Sequence, residues 1–224
     1  MCGESPKYVA WKNGYKPDDI EKIPEDSILG LGCGNPFNSL TLRKGDTVLN
    51  LGSKAGMDVF LASKKVGSEG KVIGVDMVPE MIERSKNIAS ENNYTNVEFR
   101  LGEINSLPIE DGIIDVVIAN NVVNLFLDKL KIFKEVYRIL KKEGLFSVTD
   151  LVIDTKLSGN FHDDFDAWVR GIAGAIKKSE YIDHIEKSGF SEVKIISQKP
   201  FKTENYPKLQ GKITCIQVQA KKSL

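Results

Sequence analysis

From Asp46 onward the chain alternates short β-branched runs with stretches whose apolar positions recur at three and four residues. The runs are Thr47 to Leu51, Lys71 to Val75, Val97 to Arg100, Ile114 to Ile118 and Leu145 to Thr149. Between them, Met57 to Val66, Pro79 to Asn92 and Lys129 to Lys141 carry helical spacing, as in Leu130, Phe133, Val136, Tyr137 and Leu140. Alternation of this kind predicts a doubly wound α/β fold, a mostly parallel sheet with helices on both faces. Pro79 suits a first helical turn, and Gly144 suits the exit of the last helix of this series.

After Asp150 the rhythm changes. Phe161 to Ile176 and Ser179 to Ser188 read as helices, and Val193 to Ile196 and Ile213 to Val218 as strands. No helical pattern separates those last two runs, which predicts an antiparallel C-terminal hairpin closing a seven-stranded Rossmann-like sheet. Residues 1–45 show no strand rhythm and read as a cap or lid of short helices and loops, with 46–224 as the main domain.

The length of 224 residues suffices for one large core. Lys plus Arg and Asp plus Glu each number 31, so no net basic field gathers phosphate backbones, and nucleic acid is not an expected partner. The first residues lack a basic stretch followed by an apolar one, and no later run stays apolar for ~18 residues. A cytoplasmic chain without membrane contact is therefore expected, acting on a small molecule as a monomer or homodimer. Cys2, Cys33 and Cys215 are odd in number and scattered, which fits reduced thiols and predicts no metal centre.

The candidate chemistry gathers at strand ends. The first strand runs through Asn50, Leu51, Gly52, Ser53, Lys54, Ala55 and Gly56 directly into a helix. Small residues there let backbone approach a ligand, and a helix N-terminus offers N–H groups to an anion. A tight strand-to-helix turn is the plainer reading of that segment alone. The second strand, however, ends in Asp76, at the place where an acidic side chain meets ribose hydroxyls in nucleotide-binding sheets. The third runs into Glu103 and Ile104, and the fourth into Asn120 and Asn121. Ligands of open α/β sheets lie across the carboxyl ends of the strands, so these positions converge on one crevice. The spacing Gly52-x-x-x-Gly56 departs from the G-x-G-x-x-G that holds a dinucleotide pyrophosphate, which disfavours a nicotinamide oxidoreductase. An adenosyl group attached to an amino acid is the better tenant, with Glu103 and Ile104 beside the adenine and the glycine-containing loop around its amino-acid end.

Several segments carry a resemblance: Gly30-Leu31-Gly32-Cys33-Gly34-Asn35-Pro36, Val48 to Asp58, Gly74 to Ile82 including Met77, Asn96 to Leu107, Asp115 to Leu125 and Lys134 to Lys141. Together with Gly171 to Ala175, they resemble the arsenite methyltransferases, a group of class I S-adenosylmethionine-dependent enzymes. The resemblance implies S-adenosyl-L-methionine as cofactor, held by Asn50, Gly52, Ser53, Lys54, Gly56, Asp76, Met77, Glu103, Ile104 and Asn120. It also implies an acceptor site at Cys33 and Asn121. His162, beside Asp163, Asp164 and Asp166, is a candidate general base for that site.

The departures from the family pattern are as informative as the matches. Members hold trivalent arsenic with cysteine thiolates, and Cys33 matches the first of them, whereas the two other positions here are Asn121 and Gly171. Asn50 stands where aspartate is usual, and Lys54 where glycine is usual. A methyltransferase with a small, non-arsenic acceptor is therefore expected. A genuine arsenite or thiol methyltransferase using Cys33 with external thiols, and a non-catalytic cofactor binder, are the alternatives. Tyr8, Trp11 and Tyr15 read either as a lid over the site or as an aromatic staple to the core, while Phe165 and Trp168 are expected to pack against the sheet or the cap.

Overall fold

The computed structural model describes residues 4–154, 164–202, 206 and 209–223. One seven-stranded sheet runs in the order β3-β2-β1-β4-β5-β7-β6. Its strands are β1 (Thr47–Leu51), β2 (Lys71–Asp76), β3 (Val97–Leu101), β4 (Ile114–Asn120), β5 (Leu140–Ile153), β6 (Ser191–Pro200) and β7 (Ile213–Lys221). β1 to β5 pair in parallel, and β7 lies antiparallel to both β5 and β6. The order reverses beside β1, whose neighbours are β2 and β4, and this reversal opens a crevice at the carboxyl ends of the strands.

Period-two alternation sends residues of one strand to opposite faces. From β1, Leu49 and Leu51 join a core with Ile73, Val117 and the helices α5 (Lys129–Ile139) and α7 (Lys178–Lys187). Val48 instead faces Val72, Ile118, α3 (Met57–Val66) and α4 (Pro79–Glu91). Pro79 occupies the first turn of α4, where its missing N–H is not needed. In α5 the fully buried stripe is Ile132, Phe133, Val136 and Ile139, and Leu130 and Tyr137 sit at its margins. Phe133 meets Tyr181 edge-on at 5.4 Å between ring centroids. Truncation to Ala there would cost about 3–5 kcal/mol, because a closed core cannot collapse onto the lost ring.

The sheet matches the expected order of elements, and three local expectations are corrected. Gly144 lies inside β5: α5 stops at Ile139, Leu140 turns extended with ψ of 140°, and it already pairs with Ile114. The helix expected over Phe161 to Ile176 is, among the described residues, the five-residue α6 (Phe165–Val169). Its continuation is broken at Gly171, whose φ of 73° lies in the left-handed region. Phe165 is 78% exposed rather than packed inward, whereas Trp168 packs partly buried against a cluster that includes Cys33 and Leu151.

The N-terminal segment forms α1 (Pro6–Lys12), α2 (Pro17–Ile20) and a 3-10 turn at Glu25–Ser27. Ala10, Tyr15, Ile20 and Ile28 bury against α3 and the β1 side of the sheet. Tyr15 is thus a core staple, while Tyr8 and Trp11 remain exposed and pack against each other at 5.5 Å.

Candidate functional site

The turn from β1 to α3 is built for close approach. Gly52 has φ of 64°, and a Cβ there would lie 2.5 Å from Val122 Cγ2, so no larger residue fits without displacing the loop after β4. Gly56, with φ of 95°, forms the N-cap of α3. Between them Lys54 also adopts a left-handed backbone, with φ of 51°. Its main-chain N–H donates to Asp76 Oδ2 at 2.8 Å, and Val78 N–H donates to Asp76 Oδ1 at 3.0 Å. The buried Asp76 carboxylate thereby ties the end of β2 to the β1 turn.

These ends border a crevice of about 450 Å3, within the range of small-molecule sites. Gly52, Lys54, Asp76, Met77 and Val78 form one side of it, with Ile104 and Met81 beyond. Asn121, Val122, Leu125, Phe126, Asp166, Val169, Arg170 and Phe201 form the other, and Gly30, Leu31 and Gly32 close the N-terminal edge. The lining is largely apolar, with Lys54, Asp76, Asp166 and Arg170 as its charged members among the described residues.

The Lys54 ammonium donates to the Asn120 carbonyl at 3.2 Å. Burial favours its neutral form and lowers its pKa, an effect opposed by Asp58 and Asp76. The Asn120 side chain is spent on holding the N-terminal loop. Its Nδ2 donates to Tyr15 Oη at 2.9 Å and to the Gly34 carbonyl at 2.8 Å, and its Oδ1 accepts from Cys33 N–H at 3.1 Å and Thr149 Oγ1 at 2.9 Å. Tyr15 Oη in turn donates to Asp58 Oδ1 at 2.7 Å. Burial raises the Tyr15 phenol, with Asp58 adding to the effect, and burial also raises the Asp58 carboxyl against the Tyr15 hydrogen bond.

The sequence-predicted residues separate into groups. Gly52, Lys54, Asp76, Met77, Ile104 and Asn121 line the crevice together. Ser53 and Gly56 lie in the same turn, and Ser53 Oγ is buried without a hydrogen-bond partner. Asn50 is buried within β1, paired with Gly74 and Ile118, and its amide makes long contacts of 3.4 and 3.5 Å to the carbonyls of Ile118 and Leu51. Glu103 is exposed and bridges to Ser106. Cys33 lies just outside the crevice in a buried cluster with Cys215, and His162 lies outside the described residues.

Two features escaped the sequence. Cys33 faces Cys215 of β7, and its thiol is raised by burial first and by hydrogen bonding to Cys215 second. The thiols are separated by nearly the whole chain, so no spacing announces the pair. Val169 and Arg170 reach the crevice from α6 and its C-terminal end, which the pattern had merged into one long helix, and they join Asp166, a residue the sequence already placed at the acceptor pocket.

The crevice fits an adenosyl amino acid on its own features. A carboxylate stands at the end of β2, glycine backbone opens at Gly52, and apolar Ile104, Val78 and Met81 offer flat contact to a base.

A methyltransferase domain model matches residues 42–189. The chain is 42% identical over 182 residues to an arsenite methyltransferase of Halobacterium salinarum, covering 81% of this chain and 46% of that protein. It is 31% identical over 206 residues to an arsenite methyltransferase of Aquipseudomonas alcaligenes, covering 89% and 58%. The chain thus spans about half the length of these curated relatives. Among solved structures, an arsenic (III) S-adenosylmethionine methyltransferase from Chlamydomonas reinhardtii superposes with a TM-score of 0.74 at 26% identity, over 100% of this chain and 75% of that one.

Proposed function

Given that the chain belongs to the methyltransferase-domain family and is arsenite methyltransferase-like, we propose that it transfers a methyl group from S-adenosyl-L-methionine to a small molecule. The observation that carries this reading is the crevice itself, where Gly52, Asp76, Ile104 and Asn121 meet at the carboxyl ends of adjacent strands. Asp76 is the hydrogen-bond partner for ribose hydroxyls, and the Gly52 to Gly56 turn is the seat of the amino-acid end. The bound cofactor supplies an activated methyl on sulfur, and the protein's part is alignment and desolvation of the acceptor.

The acceptor lies on the Asn121 side, between the loop after β4 and the end of α6, where Leu125, Phe126, Val169 and Phe201 make an apolar wall. That wall favours an organic acceptor. A metalloid acceptor is the second reading, favoured by the Cys33 and Cys215 thiols, because soft thiophilic centres take thiolate ligands. His162 remains the candidate base in either case.

Calorimetric titration with S-adenosylmethionine and S-adenosylhomocysteine tests the cofactor, and methyl-transfer assays against arsenicals, thiols, phenols and amines test the acceptor. Binding of NADH with no response to either adenosyl ligand would overturn the proposal.

A further inference from the structure

The apolar surface of the crevice does not end at its mouth. Leu31 at the N-terminal edge is 55% exposed and Val169 at the end of α6 is 58% exposed, although both belong to the lining. Phe165 stands one helical turn before Val169 and is likewise exposed. Scattered exposed apolar side chains are ordinary, but these adjoin the Leu125, Phe126 and Phe201 wall inside the crevice. Met77 and Val78 are exposed as well, yet they follow Asp76 on the β2 side, where the cofactor reading seats the adenosine, and a ligand bound there covers them. It leaves Leu31, Val169 and Phe165 without an occupant.

The size of the crevice says where a second ligand must lie. Its volume of about 450 Å3 falls toward the lower end of the roughly 300–1,000 Å3 of single small-molecule sites. With an adenosyl amino acid inside, an acceptor of any length has its reacting end between the walls and its remainder across the mouth. Two other occupants of that mouth fit less well. Three side chains are far fewer than the roughly 20–30 residues a side of a stable protein interface. A lipid surface is held by basic residues beside the apolar ones, whereas the charged residues of this side of the lining are Arg170 and Asp166, one of each sign.

Resting on the cofactor reading above, we propose that the methyl acceptor is an amphiphile with an extended hydrocarbon portion, whose reacting head lies within the crevice and whose apolar tail crosses Leu31, Val169 and Phe165 at the mouth. Affinity then grows with tail length, up to about fourfold for each methylene that becomes fully buried. The tail lies away from the transferring methyl, so its length sets binding rather than alignment.

The experiment is calorimetric titration of 4-butylphenol and 4-octylphenol into the full chain saturated with S-adenosylhomocysteine. It is repeated on Phe165→Ser, Val169→Ser and the double variant, whose exposed positions leave the core untouched, and on Ile195→Ser as a control at an exposed apolar residue of β6 outside the crevice. The octyl compound is expected to bind the parent and Ile195→Ser roughly tenfold tighter than the butyl compound or more, for four half-buried methylenes. The ratio should fall in each single variant and reach about threefold or less in the double variant. A ratio near one in the parent, a parent-like ratio in the double variant, or an equal fall in Ile195→Ser overturns the inference and leaves the cofactor reading intact. A parent that sediments as a dimer, dissociated by the double variant, gives the apolar mouth to a second copy and overturns it likewise. If S-adenosylhomocysteine does not bind the parent, the cofactor reading falls, and this inference with it.

Discussion

Asn121 and Gly171 occupy one another's space: a Cβ built on Gly171 would lie 2.6 Å from Asn121 Oδ1. Asn121 Nδ2 also donates to the Arg170 carbonyl at 3.2 Å, so the end of β4 and the segment after α6 are seated on each other. The two positions that the sequence resemblance matched to thiolates are thus neighbours here, and neither bears sulfur.

This adjacency gives a coupling prediction. Gly171→Cys alone should destabilise the fold by roughly 1–3 kcal/mol, from the positive φ and the clash with Asn121. Asn121→Cys, with a smaller side chain, should recover part of that loss when combined with it. Urea unfolding of the parent, both single variants and the double variant checks this, and strictly additive effects would show that the residues do not share space.

Arsenite turnover should be poor in the parent chain supplied with S-adenosylmethionine and a thiol reductant. Cys33 and Cys215 are each only 8% exposed and lie outside the crevice, so they cannot present a metalloid to its Asn121 side without rearrangement. Chromatographic detection of methylated arsenicals is the measurement. Rapid formation, abolished by Cys215→Ser, would instead establish the paired thiols as the metalloid site.

Asp76→Ala should weaken S-adenosylhomocysteine binding by on the order of 1.5–3 kcal/mol, the loss expected for charge-assisted hydrogen bonds. Because the same carboxylate holds Lys54 N–H and Val78 N–H, the variant should also lose some thermal stability. Calorimetry and a melting curve read the two effects separately. Unchanged affinity would leave Asp76 with the loop-tying role alone.

Tyr15→Phe removes the hydroxyl that joins Asp58 to Asn120 and strands both partners in a buried site. A cost of about 1–3 kcal/mol is expected from the unsatisfied groups. Denaturant unfolding gives the value, and a neutral result would mean that the Tyr15 ring alone pins the N-terminal segment.

Asp150 supplies a pH dependence. Burial raises its carboxyl from 3.8 to about 6, against hydrogen bonds from Leu151 and Asn124 N–H and the charge of Lys129. The folded state then holds this proton more tightly than the unfolded chain. Its contribution is most favourable below about pH 4 and is lost as the pH rises to about 6. The difference corresponds to roughly 3 kcal/mol at most. The stability of Asp150→Asn relative to the parent should therefore improve between pH 4 and pH 6.5. A gap that stays constant across that range would contradict the assignment.

The sheet was legible because its signals are local. Val48, Val72 and Val116 each sit in a short β-branched run, and Pro79 marks a helix start, so strand and helix follow without tertiary knowledge. The crevice residues at strand ends followed from topology, since parallel strands carry their loops to one edge. What depended on long-range packing was not legible. Cys215 reaches Cys33 only because β7 lies beside β5, and Arg170 reaches the crevice only because Gly171 ends the helical path. Gly144 was misread because a glycine after a helical pattern also fits a strand that follows without a loop, as Leu140 does here.

The loop that carries Cys33 is fastened at its far side to β7 and β5: Gln217 Nε2 of β7 donates to the Asn38 carbonyl at 2.8 Å, and Ser147 Oγ of β5 to the Pro36 carbonyl at 2.7 Å. A segment made earlier in translation therefore depends in part on one made much later. Until β7 inserts beside β5, the Gly30 to Asn38 segment is held by Asn120 and Ser147 but lacks its Gln217 anchor, and the edge of the crevice is less firmly fixed. Such distant pairing slows folding and keeps apolar surface exposed longer. Ligand binding should consequently appear as a late event in refolding, in step with β7 rather than with the β1 turn that supplies the crevice floor.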